Sequence, residues 1–261
     1  MRVNVTVLAF DHPEMTIKCL DHLRTNTYFP YVLTFIDNGS ERANYSAVAN
    51  HIKVHWKEAI IIRNSANLFY AAGTNVGLRA AMDLPLKPDL VVTLSNDVFV
   101  SSGWLKKMVE SMARNPKIGV LSPLTDNISR TCVNAEWVIK RWKILRNGEP
   151  MDAINKLPAR VLSCNGNVPL FCGMIRREVL EDVGFLHERF FILGNDDDYN
   201  DRVRTAGWRT AAALNVFVNH IHGATKHEVF PQPARSRIRQ QHRKFLEQRK
   251  AYRKRTGDYR A

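Results

Sequence analysis

Three groups of residues in this 261-residue chain have the types and spacing for chemistry on charged oxygens. Asp97 closes an apolar run, residues 91–94, that breaks abruptly into Ser95-Asn96-Asp97. Asp196, Asp197 and Asp198 stand together at the head of a helix-like segment. His220 and His222 follow a second apolar run, residues 210–218. Carboxylate and imidazole together suit a divalent ion such as Mn²⁺ or Mg²⁺, and such ions commonly serve phosphate chemistry by offsetting charge on oxygen. Each group alone has a plain structural account. An aspartate after a strand caps a turn or helix, an acidic run at a helix start suits the macrodipole, and a histidine at a strand end is held by hydrogen bonds. Their joint order along the chain is what favours the functional reading.

The elements that must position them alternate. Strands are expected at residues 3–10, 31–36, 59–64 and 90–94. Helices are expected between and after them, at 14–23, 44–52, 72–82 and 103–114. Short strands alternating with helices imply βαβ units, hence an α/β fold with a Rossmann-like, mostly parallel central sheet flanked by helices. Polar residues collect after the strands: Asp11, Asp37, Asn64, Asn67 and Asp97. In an open α/β sheet such ends converge on one crevice. The second half is less regular, with strands expected at 119–123, 168–175 and 210–218 and a short helix at 177–183. Residues 234–255 read as a helix with a thin apolar stripe of Ile238, Phe245, Leu246 and Tyr252.

Composition narrows the class. Hydrophobic residues make up 45% and charged residues 24%, ordinary for a globular chain with a sizeable core. The apolar runs are too short to span a bilayer, and residues 1–7 read as a strand rather than a signal peptide. The four cysteines form no CxxC pair, so small buried thiols in a reducing, cytoplasmic setting are expected. The net charge of +13 is uneven: residues 226–261 carry twelve Lys/Arg against three Asp/Glu. This basic tail suits a polyanionic partner, either nucleic acid or an anionic membrane face, or else is a solvated helix packed on the body.

Several short stretches come in a telling order. They are Thr6-Val7-Leu8-Ala9-Phe10-Asp11-His12-Pro13, Phe35-Ile36-Asp37-Asn38-Gly39-Ser40 and the run from Asn64 through Asn67, Phe69, Tyr70 and Asn75 to Gly77. Next come Leu94-Ser95-Asn96-Asp97, Phe171-Cys172-Gly173-Met174 and Asn195-Asp196-Asp197-Asp198-Tyr199-Asn200-Asp201-Arg202. Together, over residues 3–225, they resemble the family 2 glycosyltransferases of the GT-A fold. The resemblance implies an inverting enzyme (a hexosyltransferase type) that moves a sugar from a nucleotide diphosphate sugar to an acceptor hydroxyl. Residues 1–225 would form the GT-A domain, with 1–115 binding the nucleotide sugar and 116–225 the acceptor. Residues 226–261 would form a basic helical extension.

The same resemblance assigns roles. Phe10, Asp11, Asp37, Asn67, Asn75, Asn96 and Asp97 would bind the nucleotide sugar. Asp97 would hold the divalent metal (Mn²⁺ or Mg²⁺) with His220 or His222, a choice the sequence leaves open. Asp196 would be the general base, its pKa raised by Asp197 or Asp198 nearby. Gly173, Met174, Asp197, Asp198 and Arg202 would lie near the acceptor. Four departures from the family pattern stand out: Ser95 for the first acid of "DXD", Asn195 for the glutamate of "ED", Phe69 for a glycine, and Leu186-His187-Glu188 for a "D-E" pair. Trp137 and Trp142 would either stack on the acceptor or sit in the core. A glycan or lipid-linked saccharide is the first acceptor expected. A hydroxymethylated DNA base is the alternative, and a non-catalytic nucleic-acid-binding protein on the same scaffold is the rival from another class.

Overall fold

The protein is described from a computed structural model that covers residues 1–126, 133–142, 151–190 and 194–221, together with Gln240, Arg243, Lys244, Glu247 and Ala251. Those five tail residues are helical, and their side chains are exposed. The rest of the expected basic extension lies outside the described residues, as do His222 and Cys132.

The first half follows its sequence pattern closely. β1 (Val3–Ala9), α1 (Pro13–Asn26), β2 (Val32–Asp37), α2 (Arg42–His55), β3 (Ile60–Arg63), α3 (Phe69–Met82) and β4 (Leu90–Ser95) alternate without exception. Their strands pair in parallel, with β1 between β2 and β4. β1, β2 and β4 are buried along most of their length, as strands covered on both faces require.

Beyond β4 the sheet becomes mixed. β5 (Val98–Val100), α4 (Trp104–Arg114), β6 (Ile118–Thr125), α5 (Ala135–Trp142), β7 (Val161–Cys164), β8 (Cys172–Arg176), α6 (Arg177–Val183), α7 (Asn195–Thr205) and β9 (Arg209–His220) complete the order. The nine strands form one sheet in the order β3-β2-β1-β4-β8-β6-β9-β5, with β7 also on β9. β8 runs antiparallel to both β4 and β6, and β5 and β7 run antiparallel to β9, so the parallel pairs of the sheet are those among its first four strands and that of β6 with β9. The expected strand at 168–175 shortens because Val168 turns aside to bond Asn200 of α7.

Two buried clusters lie on the two sides of the sheet. One gathers α1 and α4 around Leu20, Leu23, Trp104, Leu105 and Met108. The other gathers α3, α6 and α7 around Leu78, Val179, Tyr199 and Val203. Two glycines set how closely elements approach. A Cβ on Gly77 would fall 2.0 Å from Thr6 Cγ2, so α3 lies directly on β1. Gly39, at φ +84, turns the end of β2 where a Cβ would strike the Ala66 backbone at 2.4 Å. Cys19 and Cys172 are free buried thiols as expected, whereas Cys164 is disulfide-bonded, which corrects the reading of four thiols.

Arg176 shows how one cation can replace a helix cap. Its side chain is buried and donates to the carbonyls of Met112, Asn115 and Ile118, at the C-terminal end of α4 and the start of β6. The Met112 and Asn115 carbonyls lie at the negative end of the α4 dipole. Arg176→Met keeps much of the packing but removes every donor. Chemical denaturation is expected to register a loss of about 2–4 kcal/mol, and a change under about 0.5 kcal/mol would refute the account.

Candidate active site

The register of the parallel strands brings the expected nucleotide-side residues to one edge. Ala9 lies opposite Asp37, and Leu8 opposite Ser95. Phe10-Asp11, Asp37-Asn38 and Asn96-Asp97 therefore leave the sheet side by side.

Asp97 sits in the two-residue step between β4 and β5. β5 has only three residues, yet it decides the site. It pairs antiparallel with the end of β9, placing Val98 opposite His220. The Ile221 amide donates to the Asp97 carbonyl at 2.9 Å, closing the same junction. The Asp97 carboxylate then lies 3.4 Å from His220 Nε2, with the residues 9% and 6% exposed. Phe171 stacks on the imidazole at 4.0 Å between ring centroids and fixes its plane. An aspartate oxygen and an imidazole nitrogen are donor types that would fit a divalent ion such as Mn²⁺ or Mg²⁺. No group of three or more His, Cys, Asp or Glu side chains able to hold a metal occurs among the described residues. Asn96 is turned to α1, donating to Thr16 Oγ1 at 2.9 Å.

Asp37 and Asp11 are engaged in the frame of the edge. Asp37 is buried, and its Oδ2 accepts from Arg63 Nε at 3.2 Å and from the Ser40 amide at 3.3 Å. The Arg63 guanidinium also lies 4.5 Å over the Tyr45 ring. Asp11, in the left-handed region at φ 47, accepts from the Glu41 amide and Asn44 Nδ2, both at 2.9 Å. It thereby caps the start of α2 from across the crevice.

Asn38 is a hub that sequence reasoning treated only as a turn former. Its amide donates to Asn67 Oδ1 and the Phe69 carbonyl, and accepts from Asn64 Nδ2 and the Leu68 amide. Asn67 Oδ1 also accepts from the Phe69 amide at 2.8 Å. These bonds hold Phe69 at φ 63, a left-handed conformation that bulky side chains rarely adopt. This is where Phe69 replaces the expected glycine, and the held turn launches Tyr70 on the first turn of α3.

Several expected contacts prove to be braces. Asn75 is fully buried, bonded both ways to the Leu186 backbone and donating to Glu188 Oε1 at 2.9 Å. It ties α3 to the chain before α7 rather than facing the crevice. Met174 is fully buried in the first core cluster, and Gly173 lies against Leu170 and Thr93 inside the sheet. Neither lines an acceptor cleft. Arg202 binds Asp198 at 2.9 Å and the carbonyls of Val183 and Phe185, fastening α7 to the end of α6. Asp198 also meets His187 Nδ1 at 2.9 Å and Arg189 at 3.7 Å, so its charge is offset on several sides.

Asp196 stands in the first turn of α7. Its amide is held by Asn195 Oδ1 at 2.7 Å and its carbonyl by Asn200 Nδ2 at 2.7 Å. Asn195, the departure from "ED", thus acts on the backbone of the next residue. Tyr70 relates Asp196 to Asp97. Burial first, then the Asp196 charge and more weakly that of Asp97, push the Tyr70 hydroxyl well above the usual tyrosine range. Both carboxylates therefore lie near enough to the Tyr70 hydroxyl for their charges to act on it. Asp97 acts in the same way on Cys19, whose thiol is pushed up to about 12, chiefly by burial. Trp137 is 39% exposed, which removes it from the core; the side chain of Trp142 lies outside the described residues, as does the 191–193 loop.

The Glu188 brace carries a pH signature. Bonds from Asn75, then from Arg79, hold its carboxyl below the ordinary 4.5. A depressed carboxylate contributes stability above its unfolded pKa and loses it as pH falls through the folded value. The difference in melting temperature between the wild type and Glu188→Gln is expected at pH 7 and should shrink steadily below about 4.5. A difference unchanged down to pH 3 would contradict this sign.

The comparisons with known proteins bear on the family and the fold. A family model described as glycosyl transferase family 2 matches residues 5–184. An N-acetylglucosaminyl-diphospho-decaprenol L-rhamnosyltransferase of Mycobacterium tuberculosis is 23% identical over 225 residues, covering 77% of this chain and 70% of that protein. Among solved structures, the mannosyltransferase PcManGT from Pyrobaculum calidifontis, in complex with GDP-Man and Mn²⁺, aligns with TM-score 0.61 at 15% identity. GalNAc-T7 with UDP, GalNAc and Mn²⁺ aligns with TM-score 0.65 at 13% identity. These alignments cover 86% and 84% of this chain but only 58% and 44% of the solved chains, so what is shared is the GT-A fold of one part of each. With the family match running from β1 to the end of α6 and the fold common to these neighbours, the chain belongs to glycosyl transferase family 2.

Proposed function

We propose that the chain is an inverting glycosyltransferase that moves a sugar from a nucleotide diphosphate sugar to a hydroxyl of a lipid-linked saccharide or related glycan. The observation that carries this reading is the Asp97–His220 pair at the strand ends, 3.4 Å apart and nearly buried, beside the ends of β1 and β2. Asp97 and His220 would hold the divalent ion. When bound, that ion supplies Lewis-acid stabilisation of the charge on the departing diphosphate. Asp37 and Phe10 lie at the strand ends where the base and ribose would enter. Asp196 takes the proton from the acceptor hydroxyl as its oxygen forms a bond to the anomeric carbon. The bond from that carbon to the diphosphate oxygen breaks on the opposite face, and the leaving group keeps the electron pair. One displacement inverts the anomeric centre and needs no covalent enzyme intermediate.

Two features support the acceptor. The Mycobacterium tuberculosis relative is, by its name, a rhamnosyltransferase toward a lipid-linked N-acetylglucosaminyl diphosphate. The tail, with twelve Lys/Arg against three Asp/Glu, suits the anionic surface where a lipid-linked diphosphate resides. No helix among the described residues is long and apolar enough to cross a membrane. A DNA base as acceptor and a non-catalytic DNA-binding role gain nothing from the comparisons. The test is incubation with Mn²⁺ and uridine, guanosine and thymidine diphosphate sugars, with and without polyprenyl-diphosphate saccharides. Acceptor-dependent release of nucleoside diphosphate with an inverted glycosidic product is expected. No turnover of any donor, with tight salt-sensitive DNA binding, would overturn the reading.

A further inference from the structure

His220 stands where β9 outruns its parallel neighbour. The register of β6 with β9 slips between Pro123 and Leu124, from Pro123 opposite Ala213 to Leu124 opposite Phe217. Only that pair and Thr125 with Val218 remain before β6 ends. Asn219 and His220 continue past the last residue of β6, with β5 paired to their other edge. On the β6 side the Asp126 carboxylate takes over from the strand. Its Oδ1 accepts from the His220 amide at 3.3 Å, and its Oδ2 from Asn219 Nδ2 at 3.2 Å. Thr125 Oγ1 also donates to Oδ1, and the Thr125 amide is held by the Val133 carbonyl at 2.9 Å. Asp126 therefore leaves the sheet from an anchored residue.

The next amide along β9 turns the other way. Ile221 donates to the Asp97 carbonyl, so an aspartate holds this strand end on each edge. Three constraints then fix the imidazole. Phe171 sets the plane of the ring, β5 sets the register of the strand, and Asp126 sets how far the backbone can move sideways. Groups that hold a ligating residue in place govern the affinity of a metal site, because a ligand displaced by half an ångström no longer fits. We propose that Asp126 is a positioning residue for the divalent-ion site: its carboxylate clamps the His220 backbone from the β6 side and keeps the imidazole at Asp97. The inference rests on the Asp97–His220 metal reading above. Asp126 acts through its two donors on β9 rather than as a third ligand, for no group of three metal-binding side chains occurs among the described residues.

The test is calorimetric binding of UDP, GDP and dTDP to the full chain over a series of Mn²⁺ concentrations, with the nucleotide that binds best then used on the variants. Asp126→Ala is expected to raise the half-saturating Mn²⁺ about tenfold. Asp126→Asn should restore it to within about threefold of the wild type, since an amide turned the right way still accepts from His220 and can donate to the Asn219 side-chain oxygen. In a His220→Ala background, Asp126→Ala should add no further loss, because it acts only through that residue. Asn219→Ala, at an exposed position, should shift the curve in the same direction by less, and it carries the test where Asp126→Ala does not fold. Wild-type Mn²⁺ dependence in Asp126→Ala, or in Asn219→Ala where that variant carries the test, overturns the clamp. So does an Asp126→Asn as weak as Asp126→Ala, which shows that charge matters and position does not. A full further loss in the His220→Ala background makes Asp126 act independently of His220 and overturns it too. A wild type whose binding of all three nucleotides ignores Mn²⁺ overturns the metal reading itself, and the clamp with it.

Discussion

Asp97→Asn is expected to lower sugar transfer about 10²–10⁴-fold, with the loss falling on cation-dependent use of the donor. The asparagine matches the carboxylate in size, and the junction that holds the residue is largely backbone: Val98 pairs with His220, and Ile221 donates to the Asp97 carbonyl. The fold is therefore expected to survive. What disappears is the charge, and with Ser95 in place of a second acid no neighbour in that strand end can supply it. A single imidazole is a weak site for a hard, oxygen-preferring cation. Titrating activity and donor affinity with Mn²⁺ should show a much higher half-saturating concentration and donor binding that barely responds to the metal. His220→Ala should shift the same curve in the same direction by a smaller amount. A variant with wild-type Mn²⁺ dependence would remove Asp97 from the metal site.

The pairing that makes this prediction specific was the least legible part of the sequence. β5 is three residues long and carries no periodicity of its own. Its role is to extend β9 past the apolar run, through exposed Asn219 to buried His220. Reading hydropathy alone, the strand ends at Val218, and His220 and His222 look equivalent. Local pattern served well where a strand or helix stands on its own apolar face, as in β1, β2, β4, α4 and α6. It failed where an element exists only because a partner is there, as with β5 and the four-residue β7.

The site residues divide along the same line. Type and position in a motif singled out Asp37 and Asp97, which stand at strand ends, and Asp196, which stands at a helix start, because an aspartate after a buried strand or at a helix start has few places to go. The amides were harder. Asn75 and Asn67 occupy motif positions, yet Asn75 bonds the Leu186 backbone and Glu188, and Asn67 accepts from the Phe69 amide and Asn38, and nothing in one sequence distinguishes an amide that holds a loop from one that holds a ligand. Asn38 went unremarked for a related reason. It looks like half of an Asn-Gly turn. Only the placement of its polar atoms reveals a hub.

Asp196→Asn is expected to cut kcat about 10²–10⁴-fold while leaving donor affinity and Mn²⁺ dependence as in the wild type. Three adjacent aspartates compete for the base role, and their surroundings separate them. Asp198 is buried with His187, Arg202 and Arg189 around its carboxylate. Its charge is committed to joining α7 to α6, so Asp198→Asn should lower the melting temperature before it affects chemistry. Asp196 is only partly buried, and its backbone is pinned at both ends by Asn195 and Asn200. Asn200 in turn bonds Val168 in both directions, so the turn that carries Asp196 is fixed to the chain leading into β8. A base on such a rigid turn keeps its distance to the acceptor without ordering cost at each cycle. Asp197→Asn, one residue on, should retain most of the turnover. Near-full transfer by Asp196→Asn together with a collapse in Asp197→Asn would move the base by one position; loss of donor binding in Asp196→Asn would instead place this carboxylate on the donor and end its assignment as the base.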